Sequence, residues 1–180
     1  MLDVLKKKAK SKNLQPKVWI ADMRNFKSNT RYDLIIVPYR AFNHIEKSED
    51  QIKTLKNFRK HLKKGGRLIL NFFYPDFNYM ARMNGKATKK RKVMIRKKKY
   101  VMHEIPRYSP IDQLIRVDWI FEDEKGKQKK VLKIHLCYIY KKEFELLLKL
   151  AGFNKWKVYG GFKKEKLKNE KQEMVWIIEN

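Results

Sequence analysis

The chain has 180 residues, 43% of them hydrophobic and 13% aromatic, and its 45 lysines and arginines outnumber 19 aspartates and glutamates for a net charge of +26. This is one domain's length with enough apolar material for a core, which excludes a disordered chain. No apolar run approaches the ~20 residues that span a bilayer, MLDVLKKKAK lacks the apolar stretch of a signal peptide, and the lone Cys137 forms no internal disulfide, so no membrane partner and a reducing, cytoplasmic location are the defaults. No His/Cys/Asp/Glu cluster has metal-ligand spacing, so no metal is expected. The charge has two readings. Clustered cations displace counterions from the phosphates of a nucleic acid, but lysine enrichment spread along a chain is also a bias of composition.

In chain order, Leu2, Leu5 and Ala9 recur at helical spacing, with Asn13 and Pro16 as stop signals. Lys17 to Ala21 (KVWIA) is a short β-rich run. Tyr32 to Pro38 (YDLIIVP) is a continuous apolar run, the pattern of a central parallel strand covered on both faces. Ser48 and Gln51 have the spacing of a capping box. The helix they open has Ile52, Leu55, Phe58, Arg59 and Leu62 on one face, and Gly65-Gly66 stop it. Arg67 to Phe73 (RLILNFF) is the next strand, which makes a parallel crossover.

Beyond Pro75 the pattern changes. Nine of the fourteen residues from Lys86 to Lys99 are basic. Gln113 to Glu122 and Val131 to Tyr140 alternate apolar and polar around a turn at Asp123-Glu124-Lys125-Gly126, the signature of an antiparallel hairpin. Lys142 to Ala151 reads as a helix closed by Gly152, and Lys155 to Tyr159 and Glu173 to Ile178 as two strands.

The unit from Arg31 to Pro75, together with the helix–strand–strand ending, resembles the second half of a class I S-adenosylmethionine-dependent methyltransferase. The resemblance covers Met1 to Pro75 and Leu136 to Asn180. It implies an α/β fold: an incomplete Rossmann-like methyltransferase sheet, its first two strands absent, within one domain over 1–180. Residues 76–140 are an antiparallel insertion. In such enzymes the loop after the third strand places an acid on the adenine amino group and packs the next residue on the ring. Asp22, Met23 and Arg24 stand there, and an ionised carboxylate is a strong acceptor. The alternative reading of Asp22 is an Asp turn. Pro38, Tyr39 and Arg40 follow the next strand, where open α/β sheets bind ligands. The resemblance makes these six the cofactor-binding set for S-adenosylmethionine.

The same loop continues through Phe42, Asn43 and His44. Phe42, Asn43 and Tyr74 are expected at the acceptor substrate. His44 is the candidate general base, since histidine titrates near neutrality; the alternative is a bond to loop backbone. Tyr74, Tyr79, Tyr100, Tyr108 and Trp119 form either an acceptor pocket or the core of the insertion. The Asp/Asn-Pro-Pro-aromatic motif of base amino methylation is replaced by Val37-Pro38-Tyr39-Arg40. That leaves in-line transfer in which alignment supplies most of the rate.

None of the seven glycines follows a strand and opens a helix, so no turn cradles the donor. Lys17 to Ala21 should then lack a neighbour, and Ile35-Ile36 should form a bare apolar edge. The expected function is the carboxyl-terminal portion of a methyltransferase acting on a small-molecule acceptor, inactive as an isolated chain. The alternative is a basic nucleic-acid-binding module, either an RNA methyltransferase or a non-catalytic relative. A homodimer that completes the sheet is a further expectation.

Overall fold

The computed structural model describes residues 2–95, 97–123, 125–126 and 129–180. Met1, Arg96 of the basic run and Glu124 of the expected hairpin turn lie outside the described residues. Helix α1 (Leu2–Lys10) buries only Ala9. It ends as its sequence suggests. Asn13 takes a left-handed φ of 53°, its amide donates to the Lys10 carbonyl, and Leu14 donates to Ala9, a pairing that satisfies the last carbonyls of a helix.

The first sheet has the order β1-β2-β8-β7. Strand β1 (Tyr32–Val37) runs parallel to β2 (Leu62–Phe73). Strand β8 (Glu173–Glu179) is antiparallel to both β2 and β7 (Lys155–Tyr159). Helices α2 (Ser48–His61) and α4 (Lys141–Leu150) pack on each other and on one face of this sheet. That face is aromatic. Phe144 of α4 meets Phe72 at 4.9 Å and Trp176 at 4.8 Å between ring centres, spacing at which edge-to-face pairs add to area burial. Leu68, Leu70, Phe72, Met174, Trp176 and Ile178 are all buried there.

Two glycines lie in the first part of β2, a few residues past α2. Gly65 has φ +74°, and a Cβ on Gly66 would lie 2.9 Å from the Tyr32 carbonyl oxygen. A side chain at Gly66 would therefore force β1 away from β2. Asn180 exchanges backbone bonds with Gly65 and Gly66 and donates through Nδ2 to the Leu62 and Lys63 carbonyls, so its side chain helps to satisfy carbonyls past the end of α2.

The second sheet, order β3-β4-β5-β6, is antiparallel throughout. It comprises β3 (Arg91–Ile95), β4 (Lys98–Ser109), β5 (Leu114–Glu122) and β6 (Lys129–Cys137). One face rests on Met80 of a short helix α3 (Phe77–Met83) and on Tyr138. Tyr108 and Trp119 pack into this cluster, so they serve as core of the insertion.

Several expectations are corrected. Lys17 to Ala21 is not a strand: as the missing neighbour implied, it joins no ladder among the described residues, and Ile20 is 89% exposed. Strand β1 is not covered on both faces, since Leu34 and Ile36 are exposed; it pairs only with β2 and so forms the bare edge expected at Ile35-Ile36. The capping box does not form. Lys47 stands at the cap position and its side chain makes no capping bond, while Gln51 turns inward and donates to the Ile45 carbonyl at 2.8 Å. Arg59 is exposed, and α2 ends at His61 before the glycines. Helix α3 and strands β3 and β4 were not expected. Asp76 starts α3 by accepting from the Tyr79 amide at 2.9 Å, and lysine-rich composition hid the alternation of β3.

Candidate functional site

Strand β1 delivers the chain to Pro38, Tyr39 and Arg40, and the last two both have φ 58°. Consecutive non-glycine residues in that region cost on the order of 1–3 kcal/mol each and need something to hold them. The hold is on Arg40. Its Nε and Nη2 donate to the two carboxylate oxygens of Glu173 at 2.9 and 2.6 Å, and Asn71 Nδ2 adds a third bond at 2.7 Å. Burial pushes the Glu173 carboxyl up, but the bonds from Arg40 and Asn71 outweigh it and leave it below the ordinary carboxylate range. The guanidinium also lies over the Phe73 ring at 5.4 Å. Arg40 is thus a clamp, and Tyr39, at 95% exposed, is what the clamp displays. Ile36, Pro38, Tyr39, Arg40, Ile69 and Phe162 are among the residues lining a cleft of about 600 Å3.

Asp22 opens a tight turn. Its Oδ1 accepts from the Arg24 amide at 2.9 Å, and its carbonyl accepts from Phe26. Asn57 of α2 bonds the Met23 and Phe26 carbonyls and fixes the turn on the helix. The Arg24 side chain returns to the Asp22 carboxylate through Nε and Nη2, and reaches Asp50 through Nη1 at 2.9 Å. The Arg24 side chain, followed by its amide, holds the Asp22 carboxyl down at about 2. Asp22 is therefore an ionised acceptor, as recognition of an adenine amino group requires. Arg24 already occupies both of its oxygens, however, so adenine would have to displace a guanidinium bond. The pair is exposed, which makes that exchange inexpensive.

A 3-10 turn, Ala41–His44, follows Arg40. Phe42 is wholly buried, edge-on to Phe144. Asn43 is wholly buried too, and its Nδ2 donates to the Cys137 carbonyl at 2.7 Å. The expectation that Phe42 and Asn43 touch an acceptor is corrected: both side chains point into the core and leave no surface for a ligand. Tyr74 is half-buried against the same core; it lines neither the cleft at Tyr39 nor the one beside Asp22.

His44 is exposed, and its Nδ1 lies 2.8 Å from the His135 carbonyl oxygen. A carbonyl only accepts, so Nδ1 carries a proton, and in the neutral ring Nε2 is then the acceptor. Beside it, Glu46 accepts from Arg116 of β5 at 2.8 Å and stands 3.8 Å from the His135 ring. The loop after β1 is thereby stitched to β5 and β6. Asp22, Met23, Arg24, His44, Glu46 and Asp50 line one cleft of about 550 Å3.

The six expected cofactor residues thus divide. Asp22, Met23 and Arg24 share a cleft with His44, while Pro38, Tyr39 and Arg40 line the other. Glu173, Asn71, Glu46 and Arg116 are absent from the sequence-based set. Their partners lie far along the chain, 133 residues away for Glu173 and Arg40, and no local pattern announces such a pair. Among the described residues no group of His, Cys, Asp and Glu is placed to hold a metal, and no helix is long and apolar enough to cross a membrane.

No protein-family model and no curated protein matches the sequence. Solved structures do match the fold. An S-adenosylmethionine-dependent methyltransferase from Clostridium acetobutylicum aligns at TM-score 0.79 and 17% identity over 99% of this chain and 70% of its own. The CcbJ methyltransferase from Streptomyces caelestis aligns at TM-score 0.81 and 20% identity over 99% of this chain and 74% of its own. CalS10 from Micromonospora echinaspora, an amino pentose methyltransferase solved with S-adenosylmethionine, aligns at 0.64 and 17% over 87% of this chain and 62% of its own. The chain has the α/β fold of the class I S-adenosylmethionine-dependent methyltransferases, with an antiparallel sheet added.

Proposed function

We propose that this chain forms the adenine-side and acceptor-side walls of a methyltransferase that uses S-adenosylmethionine on a small-molecule acceptor. The observation that carries the reading is the shared cleft. The turn at Asp22 and Met23 shares one cleft with the exposed His44 and with Glu46, which ties the loop to the second sheet, on a methyltransferase fold. When bound, the donor supplies an electrophilic methyl on its sulfonium. This chain's part is to read the adenine through Asp22, pack it on Met23, and take a proton from the acceptor at His44 Nε2. Neighbours named for an amino pentose and for a sugar N-methyltransferase support an amine as the nucleophile.

The described residues include no glycine turn that would hold the sulfonium end, and β1 has a free edge. Both support the reading that the isolated chain binds donor weakly and does not turn over until another strand pairs with β1. A second copy is one source of that strand, and sedimentation at rising concentration tests for it: the self-paired form requires dimer to accumulate.

Titration of isotope-labelled protein with S-adenosylhomocysteine, followed by NMR, tests the site. Weak binding with shifts confined to the Asp22 turn and His44 is expected. Saturating ligand that moves neither region removes the reading. Asp22→Ala should weaken that binding and leave the melting temperature unchanged, because an exposed ion pair adds little stability. A fall in melting with unaltered binding would make Asp22 a turn former only.

A further inference from the structure

The second sheet carries a two-stranded arm. Strand β4 meets β5 only from Val101 onward, where Val101 faces Glu122. Farther out, Val93 pairs with Tyr100, Met94 with Lys99 and Ile95 with Lys98, with no third strand beside them among the described residues. Side chains alternate across a strand, so the register sorts this arm into two faces. Arg91, Val93, Ile95, Lys98 and Tyr100 share one; Lys92, Met94 and Lys99 share the other. Both faces carry cations.

Acids neutralise the inner part of the run. Lys90 bonds Glu122 at 2.8 Å and Arg91 bonds Glu104 at 2.9 Å. Lys89, Lys92, Lys97 and Lys98 are exposed and have no acidic partner among the described residues. Between them Met94 is 63% exposed and Ile95 42% exposed.

A lysine on an edge strand commonly serves to block edge-to-edge pairing. That role accounts for Lys92 on the edge strand β3. It does not call for unpaired cations on Lys97 and Lys98, at the turn and on β4. A ribbon that seeks lipid keeps its cations off one apolar face, whereas each face here mixes the two. Duplex DNA presents two phosphate walls around a major groove about 12 Å wide that admits a two-stranded ribbon. The major groove of duplex RNA is too narrow for it. We propose that the β3–β4 arm docks duplex DNA, entering the major groove by its turn end with its two cationic faces against the two phosphate walls.

The test compares two variants of equal charge. One changes Lys89, Lys92, Lys97 and Lys98 to Gln. The other changes Lys6, Lys7, Lys8 and Lys10, exposed on α1, to Gln. Fluorescence anisotropy with a short labelled DNA duplex is measured over a range of salt. The arm variant should lose at least about 10-fold in affinity near 0.1 M salt, and its log–log salt slope should shrink by about 3 to 4, one unit or slightly less for each phosphate the arm no longer neutralises. The α1 variant should stay close to wild type. NMR of the wild-type protein gives an independent reading: added duplex should shift amides from Lys92 to Val101 first. Equal losses in both variants, or in neither, would overturn the proposal in favour of diffuse charge. Arm-dependent binding that is as strong to duplex RNA, to single strands or to anionic phosphatidylserine vesicles would overturn the groove as its target.

Discussion

Strands β1 and β2 lie side by side and both carry a run of Leu and Ile, yet these side chains differ widely in exposure. On β2, Leu68 and Leu70 are at most 1% exposed; on β1, Leu34 and Ile36 are 46% and 58% exposed. Part of the contrast is the face: Leu68 and Leu70 share theirs with Ile35 and Val37, whereas Leu34 and Ile36 share theirs with the exposed Arg67 and the half-buried Ile69. The rest lies in the neighbours. Strand β2 has β1 on one side, β8 on the other and the α2–α4 pair against the face that carries Leu68 and Leu70. Strand β1 has one partner, and only its Ile35 and Val37 side face that core. An apolar run states what a strand would gain by being covered, ~1.5–3 kcal/mol for each large side chain. It does not state that the cover is present.

The sharpest way to break the contrast is at its buried end. Trp176→Ala empties a site ringed by Phe72 and Phe144 and should lower the urea-unfolding free energy by about 3–5 kcal/mol. A loss under about 1 kcal/mol would mean that this core is not close-packed. The next effect belongs to the clamp that bridges β1's loop to β8. Glu173→Gln removes the charge that holds Arg40 and should cost about 2 kcal/mol, since one partner of a half-buried, charge-assisted pair is lost.

That second variant also has a signature in pH. The Glu173 carboxyl lies below its ordinary value, so its contribution is complete above about pH 4.3, the unfolded value. It fades as the pH falls through the lower, folded value. The stability gap between wild type and Glu173→Gln should therefore be flat near neutrality and narrow in acid. A gap that widens below about pH 4 would reverse the assigned direction.

At the exposed end the effect should be small. Ile36→Thr disturbs no buried packing and should change monomer stability by less than about 0.5 kcal/mol. A larger loss at low protein concentration would show that Ile36 is covered in solution. Cys137 gives the smallest signal of all. Burial pushes its thiol up to about 12, so a thiol reagent at neutral pH should label it only as fast as the fold opens. Rapid labelling of native protein would place the cysteine outside the core.

The sheet and the two large helices were legible because their signals are local. Alternation marked β5 and β6, and a continuous apolar run marked β1, whereas the glycines read as a stop lie inside β2, which begins at Leu62. The Asp22 turn was legible for the same reason. Phe42 and Asn43 were misassigned because a loop dense in polar and aromatic residues reads the same whether it faces solvent or core. Only the packing of the 3-10 turn against Phe144 and the Cys137 carbonyl separates the two. The capping box failed on similar grounds. Ser48 and Gln51 have the spacing, but the buried Ile45 carbonyl and Cys137 sulfur offered Gln51 better partners.

By itself the sequence determined most of the larger elements, the antiparallel hairpin of the second sheet and the scale of the positive charge. Each follows from side chains a few residues apart. Tertiary structure alone decided which apolar strand is covered, which acid holds Arg40, and that the Asp22 turn and His44 share a cleft. Those outcomes depend on contacts between segments up to 133 residues apart. Such contacts are selected by the burial and charge balance of the whole fold, and no window of sequence carries that balance.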